Sequence, residues 1–238
     1  MFQRDTENWY KFNFEGVGRY GVPALLPEHI DADRFIPFNY AKGCKDPDQV
    51  GVHFFLHDYQ FRRIWDMPER YKDMLQRFAC ICTPDYSLYM DMPKAMQIYN
   101  HYRKQWVGAY WQAWGLCVIP TVSWSDEESF SWCFDGIPER AAVAVSSVGC
   151  MKDAESQKNF LKGYQAMMAQ INPDQILFYG TIPKEVDGPI IQIESYQERF
   201  KKRKECIAWA DVAEPVEKEL QLAVEEVPGQ QAAAVPTV

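Results

Sequence analysis

Short apolar runs recur along the chain at 52–56, 79–82, 116–122, 141–145 and 175–179, each ending in small, acidic or aromatic residues. Runs at 35–38 and 190–193 extend the series at either end. Between them lie stretches of helical length. In 59–78, Phe61, Ile64, Trp65, Tyr71 and Leu75 fall near helical spacing, with Pro68 breaking the stretch. Further helices are predicted at about 93–114, 126–134 and 154–171 and from about Tyr196. Pro93 suits a first turn and Gly115 a C-cap. Ser125 with Glu128 reads as a capping box, and Asn172-Pro173 as a stop. Strand-length runs alternating with amphipathic helices predict an α/β fold with a parallel sheet. Seven strands fit a barrel-like or incomplete (β/α) barrel, or an open doubly wound sheet. The absence of a G-x-G-x-x-G or P-loop pattern favours the barrel-like form.

This pattern divides the chain into three parts. Residues 1–34, with Trp9, Tyr10, Phe12, Phe14 and Tyr20, read as an aromatic lead-in packed on the body. Residues 35–212 read as a single α/β domain. From 213 to 238 Pro, Ala, Val, Gln and Glu dominate and aromatics vanish, which predicts an acidic, disordered tail.

Composition narrows the function class. The formal net charge is −8, of which the residues from Asp211 onward carry −5 (six acids against Lys218). That balance argues against general nucleic-acid affinity, and the run Lys201-Lys202-Arg203-Lys204 reads as a solvated helix face. No run approaches the roughly 18 apolar residues of a membrane span, and the N-terminus does not read as a signal peptide. Seven Cys, most inside apolar runs, read as reduced thiols of a cytoplasmic protein, and no metal-ligand spacing is present.

In parallel α/β folds, ligands bind beyond the carboxyl ends of the strands. Asp85 follows a short buried run directly and is the leading candidate acid/base or base-edge acceptor, with Asp58 assisting. Trp124 offers a flat face for a ring, and Tyr86 and Tyr179 add two more. Ser87, Ser123, Ser146 and Ser147 supply hydroxyls, and the segment from Ser146 to Gly149 could form an anion nest. Each has a plainer role: Asp85 as a turn cap, Trp124 as a core lid, Ser146–Gly149 as a tight turn. His57 reads as solvent-facing as readily as catalytic. Almost no Lys or Arg is expected at this mouth, which disfavours a polyphosphate ligand. No cofactor is required by the sequence, although paired carboxylates would suit Mg²⁺ or Mn²⁺.

The stretches 52–58, 84–93, 120–126 and 145–149 together resemble an uncharacterised domain-of-unknown-function family (the DUF 4417 type) of bacteria, phages and mobile elements. The resemblance spans roughly 36–193 and implies a phage or mobile-element origin and a cytoplasmic setting. More loosely, Asp85-Tyr86-Ser87, Val122-Ser123-Trp124 and 145–149 resemble strand ends of tRNA-guanine transglycosylase barrels. That likeness lacks the glycine pair, the Gln, the second Asp and the zinc ligands. Two functions follow as expectations. One is an enzyme acting on a nucleobase, nucleoside, nucleotide or nucleic acid through Asp85 and Asp58. The other is a non-catalytic protein that sequesters a small ligand or engages a host protein.

Overall fold

The computed structural model describes residues 7–193. The helix expected from Tyr196, the basic run at 201–204 and the tail from 213 lie outside the described residues. Seven parallel strands succeed one another: β1 (Arg34–Pro37), β2 (Val50–His53), β3 (Cys80–Cys82), β4 (Val118–Ile119), β5 (Ala142–Ser146), β6 (Gln175–Tyr179) and β7 (Ile190–Ile193). They form a four-stranded and a three-stranded sheet in strict chain order, β1-β2-β3-β4 and β5-β6-β7. The run expected at 116–122 keeps only two residues as β4 because Pro120 has no N–H to give the ladder. Pairing resumes beyond it. Thr121 bridges Ala144, with Ala144 N–H donating to Pro120 O and Val122 N–H to Ala144 O, both at 2.8 Å. A short antiparallel hairpin, Gly16–Val17 with Val22–Pro23, lies in the lead-in.

Strict sequential order puts the crossover helices on one face, so the other face has to cover itself. Three clusters record this. Val50, Val52, Ile81 and Val118 pack with Trp65, Trp106, Val107 and Trp111 of the helices. Val143, Val145, Ile176 and Phe178 pack with Phe160, Tyr164 and Met167. The alternate residues, Phe35, Cys80, Cys82, Ile119, Ala142, Ala144, Leu177 and Tyr179, form a third cluster, joined by Ile191 and Ile193. This is the period of two expected of strands buried on both faces. The Phe55 and Tyr179 rings stack at 5.0 Å, and His53 lies 4.9 Å from Tyr179. Strands four places apart in a flat sheet would be about 19 Å apart. The sheet therefore curls strongly toward its inner face. Among the described residues β1 and β7 do not pair with each other.

The helices follow their predicted signals, with one correction in the turn after β4. The stretch at 59–78 is broken into α1 (Arg62–Asp66) and α2 (Lys72–Leu75) linked by 3-10 turns, with Pro68 at the break. α3 (Lys94–Gln112) starts after Pro93 without a side-chain cap. It ends at Gly115, whose φ of +80° suits only glycine, and Leu116 N–H closes the turn on Trp111 O at 3.2 Å. The turn after β4 is a 3-10 helix, Glu127–Ser131, capped by Asp126 rather than Ser125. α4 (Ala154–Gln170) is capped by Asp153, which accepts from Ser156 N–H at 2.8 Å.

Gly163 of α4 lies against the Trp124 indole, and a Cβ there would come within 2.1 Å of Nε1. Gly→Ala inside a helix ordinarily stabilises by about 1 kcal/mol. Here Gly163→Ala is expected to lower stability by about 1–3 kcal/mol, because the rigid ring must move. Urea unfolding of Gly163→Ala, beside Gly163→Ala/Trp124→Ala, checks this: the second substitution should recover part of the loss.

Candidate functional site

The buried face of α3 is polar. Gln97, Asn100, His101, Lys104 and Gln105 recur at intervals of three and four, and each is at most 5% exposed. Buried polar groups need partners; one nitrogen of each finds its partner on loops beyond the strand ends, while Gln97 Oε1, His101 Nδ1 and Gln105 Oε1 have none among the described residues. Gln97 Nε2 donates to Tyr89 O and Met92 O at 3.1 and 2.9 Å. Asn100 Nδ2 donates to Ser87 O at 2.7 Å. His101 Nε2 and Gln105 Nε2 both reach Asp135 O, at 3.0 and 3.1 Å. Burial pushes His101 down to about 3, so its ring is neutral and carries its proton on the nitrogen facing that carbonyl. Lys104 Nζ donates to Ser123 Oγ at 2.8 Å.

Asp85 sits where these loops meet. The groups that act on it are Asp58 after β2, Ser123 after β4 and Lys104 of α3, and Asp85 in turn acts on Cys82 of β3 and Cys150 after β5. Its side chain keeps partial solvent access, yet protein surrounds it closely. Burial is the largest influence and pushes its carboxyl up to about 6, with Lys104 and Ser123 pulling down and Asp58 pushing up. Lys104 is fully buried, and burial lowers its ammonium to about 8 against the pull of Asp85. The positions are set by the strands. Thr121 N–H donates to Thr83 Oγ1 at 2.8 Å, and Thr121 Oγ1 donates to Thr83 O at 2.7 Å. This reciprocal clasp lies two residues before Asp85 and two before Ser123.

The other expected site residues divide. Asp58 accepts from Ser87 Oγ at 2.7 Å and from Ser87 N–H at 3.2 Å, so it holds the Asp85 loop. Tyr86 turns into the core: it is 1% exposed, 5.5 Å from the Phe61 ring, with the Arg103 guanidinium 4.1 Å from its centroid. Trp124 lies on α4, with Phe160 at 5.3 Å, and is not grouped with Asp85. Tyr179 borders the same end of the sheet, stacked on Phe55. The nest expected at 146–149 has its N–H groups largely committed. Ser147 N–H donates to Tyr179 O, Val148 N–H to Ser146 Oγ, and Cys150 N–H to Ser147 O. Ser147 Oγ donates to Thr181 O, and Gly149, with φ +83°, makes the turn. His57 is exposed and stacks on Tyr59.

Lys104 is the residue that sequence reasoning missed. Its signal was available: Gln97, His101, Lys104 and Gln105 share one helical face. A hydrophobic scan follows Trp106, Val107 and Trp111 instead. The mouth accordingly holds a buried cation where almost none was expected. Among the described residues no group of three His, Cys, Asp or Glu side chains is gathered as a metal would need. A separate concavity of about 440 Å³ lies nearby, between the 3-10 turn at Asp126–Glu128 and the start of α4, and does not include Asp85. Three of its acids are in ion pairs, Asp126 and Glu128 with Lys94 and Glu127 with Lys162. Among the described residues no helix is long and apolar enough to cross a membrane.

Comparison with known proteins places this geometry in a lineage. The chain is 38% identical over 231 residues to "Gene 1 protein" of Mycobacterium phage D29, covering 93% of this chain and 86% of that one. It is 34% identical over 199 residues to "Gene 1 protein" of Mycobacterium phage L5, covering 83% and 87%. No solved structure matches. Neither these relatives nor the family match supports the looser likeness to tRNA-guanine transglycosylases. The family model described as Domain of unknown function (DUF4417) matches residues 14–197, from the aromatic lead-in to the end of the sheet, and the chain belongs to that family.

Proposed function

We propose that this phage-type protein is an enzyme that moves a proton at Asp85 on a small polar substrate of the nucleobase or nucleoside class, bound over an incomplete barrel. The observation that carries this reading is a partly exposed aspartate whose carboxyl is held near neutrality within the field of a fully buried ammonium. A general acid or base works best when its pKa lies near the working pH, and such perturbed groups gather at functional sites. Asp58, committed to Ser87, is a positioning residue in this scheme. Lys104 supplies a fixed positive charge. The Phe55 and Tyr179 rings at the same end of the sheet are buried and stack on each other, so they back the site rather than present an open face.

The electrostatics also argue that the pair is not kept for stability. Asp85 is raised from an ordinary 3.8 to about 6, so its stabilising share is present at low pH and is lost as pH rises through about 6. Lys104 is lowered from 10.5 to about 8, so its share is present at high pH and is lost as pH falls through about 8. Between those values both are charged and both oppose folding.

Two outcomes are expected. In thermal-shift screening, nucleobases or nucleosides should raise the melting temperature of the wild type, since a ligand of the native state stabilises it. Turnover of a hit should rise with pH through about 6 and fall above about 8. Asp85→Asn should cut it by about 10²–10⁴ with the fold retained. A ligand that stabilises wild type and Asp85→Asn alike, with equal turnover, would remove Asp85 from the site. In denaturant unfolding at pH 7, Lys104→Met alone should cost about 1–3 kcal/mol, because it removes the bond to Ser123 and the cation that favours the Asp85 carboxylate. Asp85→Asn/Lys104→Met should be neutral or stabilising by about 1–4 kcal/mol. A double variant weaker than the single would show the pair to be structural.

A further inference from the structure

We propose that Ser123 is a covalent nucleophile for an acyl substrate, an ester or amide, and that Asp85 is the base that receives its proton. The inference rests on the reading of Asp85 as the proton-transfer group and deepens it by naming the hydroxyl on which Asp85 acts. Three observations lead here. First, Ser123 Oγ stands between a donor and an acceptor. Lys104 Nζ donates to it at 2.8 Å, and Asp85 is near enough for the Ser123 hydroxyl to favour its ionised form. A hydroxyl held this way has its proton directed to a base and its lone pair steadied by a cation, the arrangement that activates a serine. Second, access is graded. Lys104 is 0% exposed, whereas Ser123 and Asp85 both keep contact with solvent. Only the serine and the carboxylate can touch a substrate, so Lys104 is a positioning residue. Third, the N–H groups of Ser123 and Trp124 take no bond among the described residues. Successive amides of an extended segment point to opposite sides, so one of the two is the donor offered to an acyl oxyanion.

The neighbouring thiols do not compete. Burial raises Cys82 well above its usual value, lifts Cys133 to about 12 and raises Cys150, so all three stay protonated. The step balances without a further cofactor. Ser123 Oγ forms a bond to the acyl carbon while its proton passes to Asp85. The bond to the leaving oxygen or nitrogen then breaks, and that group departs with the proton from Asp85. Water next attacks the acyl-serine and gives a proton to Asp85. Oγ is released, the proton returns to it, and a carboxylic acid leaves. The Lys104 ammonium keeps its protons throughout and offsets the charge developing on Oγ.

The test uses the full-length protein and a fluorophosphonate probe, in which Oγ displaces fluoride from phosphorus. Peptide mass mapping should find one adduct, on Ser123, in native protein and none after heat unfolding. Mapping on the wild type locates the residue even if a variant fails to fold, and Ser123→Ala, where folded, should remain unlabelled. Asp85→Asn should slow labelling by about a hundredfold or more. The groups facing Asp85 are Lys104 from α3, Asp58 from the loop after β2, Ser123, and the Cys82 and Cys150 thiols; of these Lys104 alone is a cation. The labelling rate should therefore rise with pH as Asp85 ionises, and Lys104→Met should move that rise to higher pH, which a merely structural lysine would not do. No adduct, an adduct on another residue, or equal rates in wild type and Asp85→Asn would overturn the inference. A wild type that is stabilised by a nucleoside but never labelled would sink this inference and leave the Asp85 reading standing. Labelling at Ser123 without nucleoside binding would support it and overturn the nucleobase assignment instead.

Discussion

The buried polar face of α3 is the constraint on which the functional end of this molecule depends. A helix that buries Gln97, Asn100, His101, Lys104 and Gln105 incurs a desolvation cost that only well-placed partners offset. Those partners are carbonyls at Ser87, Tyr89, Met92 and Asp135 and the hydroxyl of Ser123. Satisfying the helix therefore fixes the loops after β3 and β4 in one arrangement. An apolar helix face would pack as tightly but would leave those loops free to slide. The same bonds that make α3 tolerable in the interior set the distance between Lys104 and Ser123 and hold the strand ends around Asp85.

The two carboxylates show how position becomes role. Asp58 and Asp85 both follow a parallel strand directly, and sequence treats them alike. Asp58 finds the hydroxyl and the N–H of Ser87, two donors that satisfy its charge and leave it holding a loop. Asp85 finds a buried surrounding, a distant cation and one hydroxyl, and its proton becomes hard to remove. In the proposed reading, chemistry falls to the less satisfied group, the usual relation between unmet demand and reactivity. The charged pair opposes folding at neutral pH, so the rest of the core has to carry it.

Much of the framework is legible in sequence because it depends on local physics. Parallel strands buried on both faces read as continuous apolar runs, and Ile81 against Cys82 or Val143 against Ala144 separate by alternation alone. Pro68, Gly115 and Asn172-Pro173 punctuate the chain where steric rules require. The placement of Asp85 at a strand end follows from the same reading. What could not be read is direction after the strand ends. Tyr86 and Trp124 stand beside Asp85 and Ser123 in sequence, yet the first turns to Phe61 and the second to Gly163. Neighbours in an extended segment point to opposite sides, so a large ring next to a site residue is committed to the core behind it. Lys104 was hidden for a different reason. A lysine on a helix is solvated by default, and only the contacts of Gln97, His101 and Gln105 along the same face reveal it as interior.

Curling of the sheet links the two themes. Strict sequential strand order leaves the inner face without a helical cover, and small residues (Cys80, Cys82, Ala142, Ala144) let that face close on itself until Phe55 and Tyr179 stack across it. A curled sheet brings the ends of neighbouring strands toward a common centre, where a flat one would set them in a row. Asp58 and Ser123, from the ends of two other strands, both act on the Asp85 carboxyl, which in turn raises Cys150 beyond a fourth. The interruption at Pro120 belongs to the same geometry. By ending the β4 ladder early, it lets Thr121 bridge to Ala144 on one side and clasp Thr83 on the other. Ser123 thus inherits its place from both halves of the sheet, and the residue that joins the two sheets stands two positions before the hydroxyl that the buried lysine holds.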